Sequence, residues 1–473
     1  MKAHAPSIQA PTSASTIDWN DELIRKYDLT GPRYTSYPTA LSFDDHYSEE
    51  SWRRAVTEAN DSEDAISIYL HIPFCDTICY YCGCNKVVTA NRTHAERYLK
   101  YLKKEISIKA AEISPSVKVD LIHFGGGTPT YLSDAQLEEI LLHIRSKFRL
   151  DQPALECAIE IHPQTVPPRR LKKLREMGFN RLSIGVQDFN EHVQKAVNRY
   201  NSKKEVHALI NEARSLQFQS ISVDLIYGLP LQSVDSVSST LNDILDLSPD
   251  RISLFNYAHM PEMFKSQRQI KAEELPEPQD KLRMLENSIH TLEENGYSYI
   301  GMDHFAKHGD ELAIAQKAQR LHRNFQGYTA HGHAVLHAFG LSAISTVDHH
   351  YVQNVKQLDQ YYAKLDVNQL PIEKGYVLSQ DDIMRRSVIN SLICHFELDF
   401  TQFQKQFKVD FLSYFASEIE ALQIMQGDGL IEINDARLTI PPCGRLLVRS
   451  VCKVFDRYAN NSQVMQKRFS RII

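Results

Sequence analysis

Four cysteines lie within ten residues of this chain, in the segment CDTICYYCGC from Cys75 to Cys84. Three of them, Cys75, Cys79 and Cys82, have the spacing C-x3-C-x2-C, which suits a loop that wraps a compact cubane of iron and sulfide. Three thiolates bind three irons and leave the fourth iron open. The spacing therefore predicts a redox cluster with a free coordination site for a cofactor or substrate.

Zinc is the main alternative, because four thiolates can form a closed tetrahedral site. Zinc sites usually take two ligand pairs from separated segments, and no second pair follows this loop. A purely structural role is disfavoured, since Pro73 and Gly83 beside the thiols are poor core residues. The other cysteines are scattered singly and are interpreted as small buried hydrophobic residues: Cys157, Cys394, Cys443 and Cys452.

The composition is that of a large globular protein, with 473 residues, 42% hydrophobic and 24% charged. That length favours two or three domains.

No apolar run is long enough for a membrane span, and residues 1–16 lack a secretory signal, so we expect a cytoplasmic protein with reduced thiols. A net charge of −6 gives no general attraction for nucleic acid or anionic lipid, so individual arginines and lysines must bind any acidic ligand.

The stretch ISIYLHIPFCDTICYYC resembles the radical S-adenosylmethionine (SAM) superfamily, in which C-x3-C-x2-C closely follows a strand. The resemblance implies a 4Fe-4S cluster on the three cysteines and SAM chelated to its open iron. One electron from such a cluster cleaves SAM to a 5′-deoxyadenosyl radical.

The elements that must position this loop are short β-rich runs that alternate with amphipathic stretches. One helix candidate begins with a capping box, Ser133 and Gln136. Six such units predict an α/β fold with a parallel sheet, open or closed into a barrel. The resemblance selects a partial (β/α)6 barrel. The six runs begin at Ala65, Val119, Leu155, Asn180, Ile221 and Arg251.

Active sites of barrels lie at the carboxyl ends of the strands, where the cysteine loop, GGGTPT and GVQDF all fall. The glycines Gly125, Gly126 and Gly127 allow the backbone to approach a ligand closely. They lack the lysine and the spacing of a phosphate-binding loop, so nucleotide-phosphate binding is disfavoured.

Three domains are predicted: an N-terminal extension or lid over residues 1–60, the barrel over 61–305, and a mostly helical domain over 306–473. Helices are expected from Asp381 and Phe411, followed by a hairpin in GLIEINDARLTIPPCGRLLV. This order suggests a winged-helix-like unit, which could bind DNA. The stretch FASEIEALQIMQGDG has acidic residues and no lysine or arginine, so a packing role is favoured over DNA binding.

Further stretches resemble one family within the superfamily, the bacterial oxygen-independent coproporphyrinogen III oxidases. The resemblance runs from about residue 18 to the end. It implies oxidative decarboxylation of coproporphyrinogen III to protoporphyrinogen IX in haem biosynthesis, with an electron donor such as flavodoxin or ferredoxin. A monomer is expected, because no coiled coil is apparent. The matching stretches are GPRYTSYPT, YLHIPFCDTICYYCGCNK, GGGTPTYL, LIYGLP, FNYAH, HRNFQGY and RFSRII.

The family's SAM-binding positions can be carried over residue by residue, and two of them, Tyr69 and Glu160, are candidates for a catalytic role. The first SAM corresponds to Tyr69, Gly126, Glu160 and Ile344. A second SAM corresponds to Tyr81, Gly127, Thr128, Gln187, Arg199, Asp224 and Ala258. From pattern alone, Tyr69 could be an ordinary strand aromatic and Arg199 a solvated helix residue, whereas Glu160 and Asp224 lie in apolar runs where an unpaired carboxylate is costly.

The substrate has several carboxylates, so arginines are expected to bind it, and Arg33 and Arg323 are the candidates. Cys84 matches a family position that separates the oxidases from related haem-carrier proteins. A haem-binding or haem-delivery protein on the same scaffold is the alternative function.

Two stretches depart from the family pattern. GHAVLHAFG replaces a GDTDLLGLG-like stretch, and IEIHP has His162 where an aspartate is common. Either departure could weaken activity or the second SAM site. The spacing of His331, His333 and His337 could suggest a metal site, but such a pattern is more often coincidental among 20 histidines.

Overall fold

The computed structural model describes residues 16–61, 64–150, 155–332 and 335–459. Residues 1–15, His333 and the closing RFSRII stretch lie outside the described residues.

The elements follow one another in three groups. The N-terminal extension contains α1 (Asp21–Tyr27) and α2 (Glu49–Ala59). The barrel units are β1 (Ile66–Ile72), β2 (Phe74–Cys75), β3 (Val87–Val88), α3 (Thr93–Ala110), β4 (Lys118–Gly126), α4 (Asp134–Lys147), β5 (Arg149–Leu150), β6 (Glu156–Ile161), α5 (Pro168–Met177), β7 (Arg181–Gln187), α6 (Glu191–Ala196), α7 (Lys203–Ser215), β8 (Ser220–Tyr227), α8 (Val234–Leu245) and β9 (Arg251–Asn256).

After the sixth unit the chain continues through α9 (Pro278–Glu294), β10 (Tyr297–Gly301), β11 (His304–Lys307), α10 (Glu311–Lys317), β12 (His322–Asn324), β13 (Gly327–Thr329), β14 (Val335–Phe339), β15 (Ile344–Val347), β16 (His350–Asn354), α11 (Leu358–Asp366) and β17 (Ile372–Val377). The last group is α12 (Gln380–His395), β18 (Glu397–Asp399), α13 (Phe400–Phe407), α14 (Phe411–Tyr414), α15 (Ala416–Gly427), β19 (Glu432–Ile433), β20 (Arg437–Thr439) and α16 (Val448–Phe455).

The six predicted runs are the six parallel strands at the centre of one large sheet, in the order β9-β8-β7-β6-β4-β1. Helices connect them, and the predicted capping box of Ser133 and Gln136 begins α4. The predicted α/β class with six barrel units is confirmed. Strand β10 lies at one edge of the sheet and β17 at the other.

Alternation along the strands decides which side chains enter the barrel. In β7 the apolar residues Leu182, Ile184 and Val186 are buried, while the residues between them are only half-buried. Successive strand residues point to opposite faces, so the polar positions of β7 share one face. Ser183 and Gly185 line a cavity on that face.

The region after residue 305 differs from the prediction. Residues 306–377 contain β12 to β17, and β14 pairs in parallel with β1 while β15, β16 and β17 follow antiparallel. The sheet therefore extends to Val377, and the mostly helical region begins at Gln380. The partner of β14 lies more than 260 residues earlier in the chain, with Ser67 opposite Leu336, a long-range pairing that local periodicity does not reveal.

The C-terminal region has the predicted helices and hairpin. The stretch from Phe411 forms two helices, α14 and α15, and β19 pairs antiparallel with β20. Strand β18 joins the same small sheet. The likeness of this unit to a winged helix stays a prediction.

The N-terminal segment is bound to the C-terminal helix α16. Arg449 donates from Nε to the Pro32 carbonyl at 2.8 Å, and Ser450 Oγ donates to the Tyr27 carbonyl at 2.7 Å. The buried Tyr34 hydroxyl donates to Asp456 at 3.1 Å. These bonds hold the segment around Arg33 against the end of the described chain.

Candidate active site

A cavity of about 510 Å³ lies at the carboxyl ends of the barrel strands and is lined by the cysteine loop. Cys75, Cys79, Cys82 and Cys84 all line it as free thiols. Within the described ranges, no three His, Cys, Asp or Glu side chains converge as a single zinc ion requires. The thiols surround a shared space instead, which suits a multi-iron cluster better than one ion.

Main-chain hydrogen bonds fix the cysteine loop to two distant segments. The Tyr80 amide donates to the Val197 carbonyl at 2.9 Å, and Asn198 Nδ2 donates to the Ile78 carbonyl at 2.7 Å. From the other side, Ser266 Oγ donates to the Cys82 carbonyl at 3.0 Å. The loop is thus held in place without using its thiols.

The glycine segment after β4 packs directly against the start of the cysteine loop. The Gly127 amide donates to the Ile72 carbonyl at 2.8 Å, and the Thr128 amide donates to the Phe74 carbonyl at 2.8 Å. A Cβ atom at Gly127 would lie 2.8 Å from the Pro73 carbonyl. Glycine is required here because the two backbones touch.

Glu160, at the end of β6, faces two neighbouring strands. Its Oε2 accepts the Gly126 amide at 3.2 Å, and its Oε1 lies 3.1 Å from His123 Nε2. The Tyr69 ring stacks on His123 at a centroid distance of 5.8 Å. Burial raises the pKa of Tyr69 well above its usual value, so the hydroxyl stays protonated. Tyr69, Gly126 and Glu160 are therefore brought together as predicted.

Arg199 lies beside the cysteine loop and is almost completely buried. Its Nη1 lies 3.7 Å from Cys79 Sγ, and its Nη2 donates to the Gly185 carbonyl. The Nε of Arg199 and Oε1 of Gln187 are buried and have no hydrogen-bond partner in the described chain. Unpaired buried polar atoms are costly, so these atoms indicate a missing polar ligand.

Asp224 lies within β8 on the same cavity and accepts a hydrogen bond from Ser183 Oγ at 3.0 Å. Burial raises its pKa to about 6, and the bond from Ser183 opposes the shift. Burial and nearby Arg199 lower the pKa of His162 to about 3, so this departure from the family pattern places a neutral imidazole in the cavity.

Most of the predicted SAM residues line this one cavity, namely Tyr81, Gly126, Gly127, Thr128, Glu160, Gln187, Arg199 and Asp224. Tyr69, Ala258 and Ile344 are described but do not line it. Ala258 follows the end of β9, and Ile344 begins β15, where it packs near Phe43 and Tyr351. Their SAM contacts stay predictions.

The two arginines predicted to bind substrate lie outside the cluster cavity. Arg33 forms an ion pair with Asp303. Arg323, on β12, lies over the Tyr328 ring at 4.7 Å and lines a second cavity.

The structure also locates two of the closely spaced histidines and the GHAVLHAFG stretch. His331 forms ion pairs with Glu156 at 2.8 Å and Asp120 at 3.4 Å, and His337 lies in a different cavity. The GHAVLHAFG stretch contributes β14 beside β1 and does not line the cluster cavity.

Sequence reasoning missed His71 and His123. Both lie next to Tyr69. His71 Nδ1 lies 3.2 Å from the Tyr69 hydroxyl, and the His123 ring stacks on the Tyr69 ring. Alternation along β1 and β4 could have identified them.

Comparison with known proteins shows the following similarities. The Radical SAM superfamily matches residues 69–244, and the HemN C-terminal domain matches residues 378–447. The chain is 47% identical to the oxygen-independent coproporphyrinogen III oxidase of Pseudomonas aeruginosa, over 97% of this chain and 99% of that protein. It is 46% identical to the oxidase of the same name from Escherichia coli K12, over 98% of this chain and 100% of that protein.

A solved structure, described as coproporphyrinogen III oxidase (HemN) from Escherichia coli and as a radical SAM enzyme, superimposes with a TM-score of 0.90. It is 44% identical and covers 94% of this chain and 100% of that one. None of the helices in the described ranges has the length and apolar character needed to cross a bilayer.

Proposed function

This chain belongs to the oxygen-independent coproporphyrinogen III oxidase family of the radical SAM superfamily, and from that premise we propose the reaction that its active site carries out. The chain converts two propionates of coproporphyrinogen III to vinyl groups and so forms protoporphyrinogen IX. Each conversion removes one hydrogen atom from the propionate β-carbon, releases carbon dioxide and leaves one electron for an acceptor. The observation that carries this conclusion is the cavity that joins three cluster-spaced cysteines to a glycine-lined backbone, in a chain similar to the oxidases along its whole length.

The cavity suits a 4Fe-4S cluster and SAM, which this family uses. Three of the four thiols that line it have the cluster spacing, the backbone at Gly127 leaves no space for a Cβ atom, and Gln187 Oε1 lacks a partner in the described chain. When bound, the cluster and SAM together supply a 5′-deoxyadenosyl radical that can take hydrogen from a saturated carbon. Acid-base side chains cannot break such a bond at neutral pH, so the protein's task is to position and shield the reactants.

The residues of the first SAM site have separate tasks. Cys75, Cys79 and Cys82 would hold the cluster. The Glu160 carboxylate would accept a hydrogen bond from the ammonium group of SAM, and His123 contacts this carboxylate from the next strand. The Tyr69 ring stacks on His123, which contacts Glu160. We assign Ile344 to this site from the resemblance alone.

A second SAM molecule is proposed for the opposite side of the same cavity. The unpaired atoms of Arg199 and Gln187 would bind its carboxylate and a neighbouring hydroxyl or amine, and Asp224 would accept a further hydrogen bond. Tyr81 supplies a ring beside them. Gly127, Thr128 and Ala258 complete the set from the resemblance.

Arg33 and Arg323 are proposed to bind substrate carboxylates.

The electron donor is proposed to be a small carrier protein such as flavodoxin or ferredoxin, because the reaction needs an electron at the cluster before each turnover. We propose that the chain works as a monomer in the cytoplasm, where the cluster thiols stay reduced.

The test is an anaerobic assay with protein reconstituted with iron and sulfide. SAM, dithionite and coproporphyrinogen III are added, and 5′-deoxyadenosine and the divinyl product are followed by chromatography. Both products are expected. Deoxyadenosine without a decarboxylated porphyrin would reject this substrate. Neither product from cluster-loaded protein would favour the haem-carrier alternative, which the names of the relatives do not favour.

A further inference from the structure

A second cavity, of about 440 Å³, lies between the N-terminal segment, β12, β15 and α12. We call it the arginine cavity, because Arg323 from β12 and Arg386 from α12 both line it. Thr35 and Ser36 close it from the N-terminal segment. None of the cluster cysteines lines it.

The Arg323 guanidinium has unused hydrogen-bond donors. Its Nε and Nη1 are buried, and neither has a hydrogen-bond partner in the described chain. The ring of Tyr328 covers one face of the group at 4.7 Å. A buried guanidinium without acceptors is costly, and an entering carboxylate supplies two oxygens in the geometry that a guanidinium prefers.

Arg386 is held only weakly by the protein. Its Nη1 lies 3.4 Å from the Asp348 carbonyl and its Nη2 lies 3.4 Å from His349 Nδ1. Both distances are long for charge-assisted hydrogen bonds. The Asp348 carboxylate also belongs to the cavity lining and lies 3.5 Å from His349 Nε2, so this acidic group has a basic neighbour of its own.

The rest of the α12 face in the cavity is polar. Ser387, Asn390 and Ser391 line it at helical spacing, whereas Val388 and Leu392 of the same helix are buried in the core. Hydroxyl and amide groups beside two arginines suit a ligand with several carboxylates.

A chain of aromatic ring contacts runs from the cluster cavity to Arg323. Phe255 lines the cluster cavity and meets the His304 ring at 5.9 Å. The His304 ring meets Tyr328 at 5.3 Å, and Arg323 lies over Tyr328. Three rings in contact therefore connect the cluster cavity with Arg323.

We propose that the arginine cavity binds the two propionates of coproporphyrinogen III that remain intact, with Arg323 and Arg386 as their partners. This inference rests on the proposed function. A substrate with four similar acid side chains must expose two of them to hydrogen removal and protect the other two. Anchoring the protected pair at Arg323 and Arg386, away from the cysteines, achieves both.

The test compares Arg323→Gln and Arg386→Gln with Arg437→Gln, an arginine on the exposed C-terminal hairpin that pairs with Glu397. Loss of one charge-assisted anchor should raise the KM for coproporphyrinogen III about 10- to 100-fold. The kcat should change less, and Arg437→Gln should resemble the parent protein. Arg323→Lys keeps the positive charge but not the two-pronged guanidinium geometry, so its KM should lie between those of the parent protein and Arg323→Gln. Anaerobic equilibrium dialysis without reductant measures the corresponding loss of affinity for coproporphyrinogen III.

A second measurement uses coproporphyrinogen in which the two unreactive propionates are methyl esters. The parent protein should bind this ester more weakly than Arg323→Gln binds the free acid, because both anchors are lost, and Arg323→Gln should bind the ester about as weakly as the parent does. The iron and sulfide content and the circular dichroism spectrum of each variant, compared with those of Arg437→Gln, show whether the barrel has folded. If a variant fails this check, the affinity of the parent protein for the ester tests the inference instead.

Unchanged KM in both glutamine variants, or full affinity of the parent for the ester, would overturn the inference. An active parent separates that outcome from failure of the proposed function, in which the parent itself makes no divinyl product.

Discussion

The cluster cavity and the arginine cavity are built in different ways. The lining of the first comes mainly from the ends of consecutive parallel strands and from one loop of ten residues. The second brings together residues near 35, 323, 346 and 386, which meet only in the finished fold. Chemistry that needs fixed ligand spacing is thus encoded locally, whereas the proposed substrate-binding surface depends on tertiary assembly.

The largest effect is expected from Cys79→Ser, which removes one cluster ligand. A hydroxyl does not replace a thiolate on iron, so the variant should lose the cluster and SAM cleavage by at least about 1,000-fold. Iron and sulfide content, the visible absorbance of the cluster and 5′-deoxyadenosine formation measure this. Cys443→Ser changes a free cysteine outside the cavity and should keep all three. Equal loss in both variants would contradict the assignment.

Gly127→Ala tests the backbone contact behind the loop. The new Cβ would lie 2.8 Å from the Pro73 carbonyl and 2.9 Å from the Phe74 carbonyl, so the start of the cysteine loop must move. We expect about 10- to 100-fold slower SAM cleavage, equivalent to about 1–3 kcal/mol of overpacking. Gly309→Ala meets nothing within 4 Å and serves as the control. Normal SAM cleavage in Gly127→Ala would show that the loop position is not critical.

Asp224→Asn tests the electrostatics of the cluster cavity. The pKa of Asp224 is raised from 3.8 to about 6 by burial, so the folded protein binds more protons than the unfolded chain between these values. The group therefore lowers the stability of the parent as pH rises from about 4 to about 6, on the order of 2–3 kcal/mol in total. Asp224→Asn should remove this loss.

Urea unfolding of the ligand-free protein between pH 4 and pH 7 measures the effect. The stability difference between Asp224→Asn and the parent should grow with pH and level off above about pH 6. Asp435→Asn, at an exposed turn, should track the parent. A pH-independent difference would show that Asp224 is not desolvated in the folded state.

The smallest effect is expected from Arg33→Ala. Asp303 already neutralises this arginine, so its loss should raise the substrate KM only about two- to fivefold and leave the iron content unchanged. Steady-state kinetics beside Arg323→Gln gives the comparison. A larger effect in Arg33→Ala than in Arg323→Gln would move the main carboxylate anchor to the N-terminal segment.

The sequence predicted the barrel strands and the cluster loop well, for a physical reason. Alternating apolar runs and the cysteine spacing are local, and each strand lies next to strands close to it in the chain. The pairing of β14 with β1 and the arginine cavity depend on long-range contacts, so they could not be predicted. The positive φ of +72° at Gln187 was also hidden, because the type of that residue gives no sign of it.

The bonds between the N-terminal segment and α16 have a consequence for biogenesis. A ribosome makes the chain from its N-terminus, yet Tyr27, Pro32 and Tyr34 form hydrogen bonds with residues 449–456. The barrel and its cysteine loop are complete in the nascent chain well before that point. The wall of the arginine cavity formed by Thr35 and Ser36 is then completed last, after almost the whole protein has been synthesised.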